Sequence, residues 1–168
     1  WVGREAEYEQ FLRSAAVASL KEVPVGVTRP SRAYFEPGGL AESMAWKAIT
    51  PGIKNGYFES YRSEIAAYEL DKLLGTGLVP PTVERTFGGR KGSLQLWVEG
   101  AMTEADRKRA KAEPPDPRAW NAQVHKVRLL HQLTFNTDSH NVRNLLVDRS
   151  FRLYAIDASR AFAVYGEL

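Results

Sequence analysis

Between Asn144 and Asp157 the chain has little choice but to turn back on itself. Residues 144–147 and 151–156 are short apolar-rich runs, and Asp148-Arg149-Ser150 between them is turn-forming. A hairpin of this length returns Asp157 to the side of Asn144. A carboxylate and an amide oxygen brought together in this way are hard ligands for Mg²⁺, which also keeps waters and takes phosphate oxygens. Asp138, just upstream, is placed to orient a hydroxyl. Read singly, the same residues have an ordinary alternative. Asp138 and Asn141 then cap turns, Asn144 begins a strand and Asp157 caps the next segment.

Composition narrows the class of protein. The chain has 168 residues, 43% hydrophobic and 26% charged, enough to bury a core as one domain or two small lobes. A net charge of only +3, with basic residues scattered among acidic ones, argues against a nucleic-acid or membrane surface and is compatible with a small anionic ligand. The absence of cysteine excludes disulfides, thiol catalysis and cysteine metal sites. No run approaches the roughly 18 apolar residues of a membrane span, so no transmembrane segment and a cytoplasmic location are expected. The first residue is Trp1 rather than Met, and the chain is expected to be a piece of a longer one.

Segment by segment, Glu5–Ser19 predicts a short helix on Phe11, Leu12, Ala15 and Ala16. The stretch from Glu22 to Gly52 then predicts strands and turns, with Glu36-Pro37-Gly38-Gly39 joining a hairpin whose second strand delivers Lys47. Asn55-Gly56 marks another turn. Ala66, Leu70, Leu73 and Leu74 recur at helical spacing before Gly75, a favoured helix stop, and place Glu64 at the edge of their stripe, away from the deep core. Two strands flank the glycine-rich turn at Gly88-Gly89. The charged, proline-bearing segment from Met102 to Pro117 predicts a linker. Asp116-Pro117 then caps a helix running to about Thr134, with Trp120, Val124 and Val127 on one face.

A lysine ending one strand and a glutamate on the next helix are suited to an ion pair that aims an ammonium at nucleotide phosphates. Taken alone, a strand lysine such as Lys47 is more often a solvated surface residue, and the strand Leu94–Glu99 is at least as well read as an ordinary half-buried one. In chain order, though, the strand lysine, helix glutamate, following strand, Asp-bearing loop and hairpin-following Asp resemble the protein-kinase-like fold. The loop Asn-Thr-Asp-Ser-His-Asn resembles the Asp-x-His pattern of HipA-type bacterial kinases and the catalytic loop of phosphoinositide kinases. Tyr-Ala-Ile-Asp-Ala-Ser-Arg-Ala-Phe, ending at Phe162, is similar to the metal-binding segment of HipA-like and Golgi secretory-pathway kinases.

This resemblance covers about Ala33 to Phe162. It implies an α+β, two-lobed kinase-like fold: a β-rich N-lobe at 1–100, a linker at 101–117 and a short or truncated helical C-lobe at 118–168. It implies ATP and Mg²⁺ as cofactors, Lys47 as phosphate contact with Glu64 as partner, and Leu96, Trp97, Val98 and Glu99 as the adenine-facing strand. Trp97 serves either the base or the core. Asp138 becomes the catalytic base, His140 braces its loop or meets phosphate, Asn136 supports the loop, and Arg160 contacts phosphate or lies at the surface. Asn144 and Asp157 become the metal ligands. Asn144 stands one residue further from Asp138 than the family pattern has it, which leaves Asn141 as a competing ligand. Glu36–Ser43 lacks the G-x-G-x-x-G pattern of a phosphate-covering loop. The implied activity is phosphotransfer to a hydroxyl, first of a protein Ser or Thr and next of a lipid or small molecule. A nucleotide-binding pseudokinase or partner-binding module is the alternative.

Overall fold

Helix α1 (Glu5–Ser14) opens the chain in the computed structural model, which describes residues 1–23 and 30–163. It stops at Ser14 rather than Ser19 because Val17 starts strand β1 (Val17–Glu22), and because the Arg85 guanidinium takes the carbonyls of Leu12 and Ala15 at 2.8 and 2.6 Å. Helix ends leave such carbonyls without partners, and here a distant side chain supplies one. Strands β2 (Ser31–Phe35) and β3 (Ser43–Lys47) form the expected hairpin around Pro37-Gly38-Gly39. The part of the strand-and-turn expectation that falls on 24–29 lies outside the described residues.

Strands β4 (Gly52–Lys54) and β5 (Tyr57–Glu59) close over Asn55-Gly56, both at positive φ (51° and 82°) as a two-residue hairpin turn requires. The Ser60 side chain then accepts the Arg62 N–H to start helix α2 (Tyr61–Leu74), and Gly75, left-handed at φ 63°, stops it. Strands β6 (Thr82–Phe87) and β7 (Arg90–Leu96) flank the second glycine pair. The segment expected as a linker carries strand β8 (Met102–Thr103) and helix α3 (Glu104–Arg109), whose Glu104 and Arg107 pair at 2.6 Å while both are buried. Its charges therefore satisfy one another within a helix. Helix α4 (Pro117–Leu133) is capped by Asp116, which accepts N–H groups of Arg118 and Ala119. The final hairpin is β9 (Leu145–Val147) and β10 (Leu153–Ala155).

Among the described residues all strand pairings are antiparallel, in sheets of order β1-β2-β3-β7-β6, β10-β9-β8 and β4-β5. Strand alternation gives the largest sheet two different faces. Ala33, Met44, Trp46, Val83 and Leu94 bury one face against Leu12 of α1. On the other face, Lys47 stands opposite Ser93, and Gln95 donates to Thr82 at 2.9 Å. A second core joins Tyr68, Leu78 and Val79 to Val127 and Leu130 of α4 and to Val147 and Leu153 of the last hairpin. Each large side chain buried this way contributes about 1.5–3 kcal/mol. No described helix is long and apolar enough to cross a membrane.

Helix α2 is rotated from its expected setting. Leu73 is 85% exposed, and the buried stripe is Tyr61, Glu64, Ala67, Tyr68 and Asp71, with Glu64 only 1% exposed. Partners for the polar groups decide this. Tyr61 donates to Glu84, Tyr68 to Glu9, and Asp71 accepts from the Leu78 N–H and the Thr76 hydroxyl.

Gly92 lets β7 approach the end of β3: a Cβ there would stand 2.4 Å from the Lys47 carbonyl oxygen and 2.8 Å from the Trp46 indole nitrogen. Because the carbonyl is backbone, relief requires moving the strand itself. Gly92→Ala should lower stability by about 2 kcal/mol, read as a lower urea midpoint at unchanged slope. An unchanged midpoint would rule out so close an approach.

Candidate functional site

The site begins at the last residue of β3. Lys47 Nζ lies 2.7 Å from Glu64 Oε1 on α2 and 2.9 Å from Asp157 Oδ1, just past β10. Burial alone would push the Lys47 ammonium down, yet the charges of Asp157 and Glu64 outweigh it and hold its pKa above the ordinary value. Burial likewise opposes ionisation of Asp157, but the charge and hydrogen bond of Lys47 win and keep it below the usual carboxylate range. Glu64 is the most buried of the three, and burial lifts its pKa despite Lys47. Its second oxygen accepts the Ala158 N–H at 3.1 Å. Asp157 itself is left-handed, at φ 57°. Asp tolerates that conformation better than most residues, at a cost of about 1–3 kcal/mol that neighbouring contacts must offset.

The loop after α4 forms a second cluster. Asn136 accepts the Asp138 N–H at 2.9 Å, and Asp138 Oδ2 receives the side-chain amides of Asn144 at 2.8 Å and Asn141 at 3.1 Å. The two asparagines then differ. Asn141 is exposed and its side-chain oxygen caps a 3-10 turn (Val142–Asn144) by accepting the Arg143 N–H at 3.2 Å. Asn144 is 8% exposed, and its side-chain oxygen accepts no hydrogen bond among the described residues. An amide that presents NH₂ to a carboxylate must point its oxygen the other way. The Asn144 carbonyl accepts the Ile156 N–H at 2.9 Å, which puts the residue before Asp157 alongside it.

The strand expected to face adenine runs from buried Leu96 through half-buried Trp97 and Val98 to exposed Glu99. The Trp97 ring lies 4.3 Å from the Arg32 guanidinium, and the Glu99 carboxylate is held by Arg32 and Ser43, each at 2.6 Å. The Glu99 side chain is thus structural, whereas the Val98 N–H donates no hydrogen bond among the described residues. His140 is exposed and lines a separate cleft of about 700 Å³ between α3 and α4, with Arg107, Trp120, Val127 and His131. The Pro37-Gly38 turn leads into the Ser43 end of β3, and Lys47 is at the other end of that strand.

Ala158, Ser60 and Glu59 were not legible as site residues. Ala158 contributes only a backbone N–H, Ser60 donates its N–H to the Ser159 carbonyl at 2.9 Å, and Glu59 holds Arg160 at 2.8 Å. For the first two no side-chain signal exists. No cluster of three or more His, Asp or Glu arranged to hold a metal occurs among the described residues. The donors on hand are one carboxylate and one amide oxygen, a set that suits a hard cation completing its shell with water and phosphate.

No family model matches the sequence. No curated protein matches it either. Among solved structures, the chain superposes on a Golgi casein kinase with a TM-score of 0.62 at 13% identity, over 94% of this chain and 58% of that one. The Golgi casein kinase with Mn/ADP bound gives 0.60, again at 13% identity, over 95% and 58%. The fold is therefore protein-kinase-like, and the chain spans somewhat more than half the length of these neighbours.

Removing Lys47 leaves Glu64 and Asp157 without their shared partner. Lys47→Met should cost about 3 kcal/mol at pH 7. Glu64, already raised by burial, then binds a proton more readily folded than unfolded, so the variant's stability rises as pH falls. Denaturant titrations of both proteins at pH 7 and pH 5 should show the deficit shrinking at pH 5. A deficit that grows on acidification would exclude this balance of charges.

Proposed function

We propose that the chain is an ATP- and Mg²⁺-dependent phosphotransferase acting on a hydroxyl, most simply that of a protein Ser or Thr. The observation that carries this is the Lys47 ammonium held between Glu64 and Asp157, residues brought together from 17 and 110 positions away. On a kinase-like fold, such a lysine is fixed in direction and kept charged. The likeness of the 138–140 loop to HipA-type kinases supports a protein acceptor and, with it, a cytoplasmic setting. In this reading residues 1–100 form the N-lobe and 118–168 part of a C-lobe, with Leu96–Glu99 at the join.

Asp157 and Asn144 would hold the metal, with the Asn144 oxygen turned outward by the amide bond to Asp138. Asn141, whose oxygen is already engaged, serves the loop instead. When bound, the divalent ion supplies neutralisation of phosphate charge. Lys47 would hold phosphate oxygens, its charge secured by its two carboxylates. The Val98 N–H, which donates no hydrogen bond among the described residues, would meet the edge of a base. Asp138, with Oδ2 occupied by two amides, retains Oδ1 to accept and orient the acceptor hydroxyl. His140, facing the other cleft, would act on loop position rather than on phosphate. Positioning and fixed charge would carry catalysis.

Thermal-shift titration with ADP and Mn²⁺ tests binding. At a hundredfold excess over Kd, about 2.7 kcal/mol of stabilisation is expected for the natural chain. Asp157→Ala should abolish it and Asn144→Ala weaken it, while Asn141→Ala keeps most of it. With Mg·ATP, Asp138→Ala should bind normally but turn over about a hundredfold more slowly, a loss of ~3 kcal/mol. Undiminished phosphotransfer by Asp157→Ala would sink the assignment, and binding without ADP release would identify a nucleotide-binding module.

A further inference from the structure

Arg160 ties three elements of the site to one another. Its Nε and Nη2 meet the same Glu59 oxygen at 2.9 and 2.8 Å, and its guanidinium lies 4.5 Å from the centroid of the Tyr57 ring. Glu59 is 6% exposed, so this charge-assisted contact is shielded from water. On the main-chain side, the Arg160 carbonyl accepts both the N–H and the hydroxyl of Thr137 at 3.4 Å. Thr137 immediately precedes Asp138, and Arg160 follows Asp157 by three positions. The neighbouring Ser159 carbonyl takes the Ser60 N–H at the head of α2. The β4–β5 hairpin is thereby anchored to the Asp157 turn and, through it, to the Asp138 loop.

We propose that Arg160 is a positioning residue, clamped by Glu59 and Tyr57 so that the Asp157 turn and the Asp138 loop keep a fixed relation and the metal ligands are set before the ion arrives. The inference rests on the phosphotransferase reading for its purpose, though the clamp itself does not. Asp157 is in a left-handed conformation that persists only where its surroundings hold it. The segment from Asp157 to Arg160 is held from one side by Lys47 and Glu64 and from the other by Glu59 and Tyr57. Freed from the second anchor, the turn can relax away from the first.

The sign of the effect separates this role from a purely electrostatic one. A guanidinium near the site repels a cation, so as a mere charge its removal would tighten metal binding. As a clamp, its removal weakens binding, and loss of a residue that orients a metal ligand commonly costs about 10–100-fold in affinity.

Arg160→Gln, Arg160→Lys and Glu59→Gln are compared with the natural chain in two measurements. In the first, Mn²⁺ is titrated at saturating ADP and followed by thermal shift. Arg160→Gln and Glu59→Gln should raise the half-saturating Mn²⁺ concentration about tenfold, and Arg160→Lys should recover part of the loss. In the second, amide exchange is followed without ligand. Exchange at Asp138 and Ala158 should quicken about tenfold in the Gln variants, with the β6–β7 amides unchanged. A lower or unchanged Mn²⁺ requirement overturns the positioning role, even if exchange quickens. Should the natural chain show no Mn²⁺-dependent response to ADP, the phosphotransferase reading falls and the exchange measurement alone decides the clamp. Should Arg160→Gln fail to fold, Glu59→Gln and Arg160→Lys carry both measurements.

Discussion

The shared ammonium of Lys47 is the interaction on which the rest of the site depends. A cation this buried is tolerated only when anions and hydrogen bonds replace its lost water, and two carboxylates from α2 and the segment after β10 do so. The contact also has a structural consequence. It draws the main sheet, the long helix beside it and the last hairpin to one point, although each belongs to a different stretch of chain. The apolar cores do not do this alone, since one lies under α1 and the other around α4.

The asymmetry of the five-stranded sheet explains why Lys47 can sit there. One face is filled by Met44, Trp46, Val83 and Leu94. Alternation then obliges Lys47 to leave on the opposite face, where Ser93, Gln95 and Thr82 keep the surface polar and α2 supplies the carboxylate. A one-residue slip of β3 would bury Lys47 under α1 and turn Trp46 into the site. Register is thus specified twice, by the apolar face and by the ion pair.

Much of this was legible in the sequence, because strands, hairpin turns and capped helices are local. Asn55-Gly56, Gly75 and Asp116-Pro117 each mark a boundary by their own backbone chemistry. The setting of α2 was not legible. Leu70, Leu73 and Leu74 look like a buried stripe, yet the buried face carries two tyrosines, Glu64 and Asp71, whose partners come from α1, β3, β6 and the loop after the helix. Hydropathy cannot register a polar group whose acceptor is 59 residues away. The segment before α4 misleads for a related reason, since a run rich in charge reads as a linker until Glu104 and Arg107 are seen to satisfy each other.

The spacing between Asp138 and Asn144 shows the same principle at the scale of one loop. Counted along the chain, the extra residue moves Asn144 one place out of register with the kinase pattern that the loop resembles and leaves Asn141 as a competing ligand. In space, Val142–Asn144 form a 3-10 turn that the Asn141 oxygen caps. The Asn141 oxygen is thereby engaged within the loop, whereas that of Asn144 accepts no hydrogen bond among the described residues. The Asn144 amide then spends its hydrogen on Asp138, which fixes the direction of its oxygen, and its carbonyl pairs with Ile156, which fixes its distance from the Asp157 turn. Spacing along the chain therefore does not by itself rank the two asparagines, because the turn they share decides which amide oxygen is already engaged.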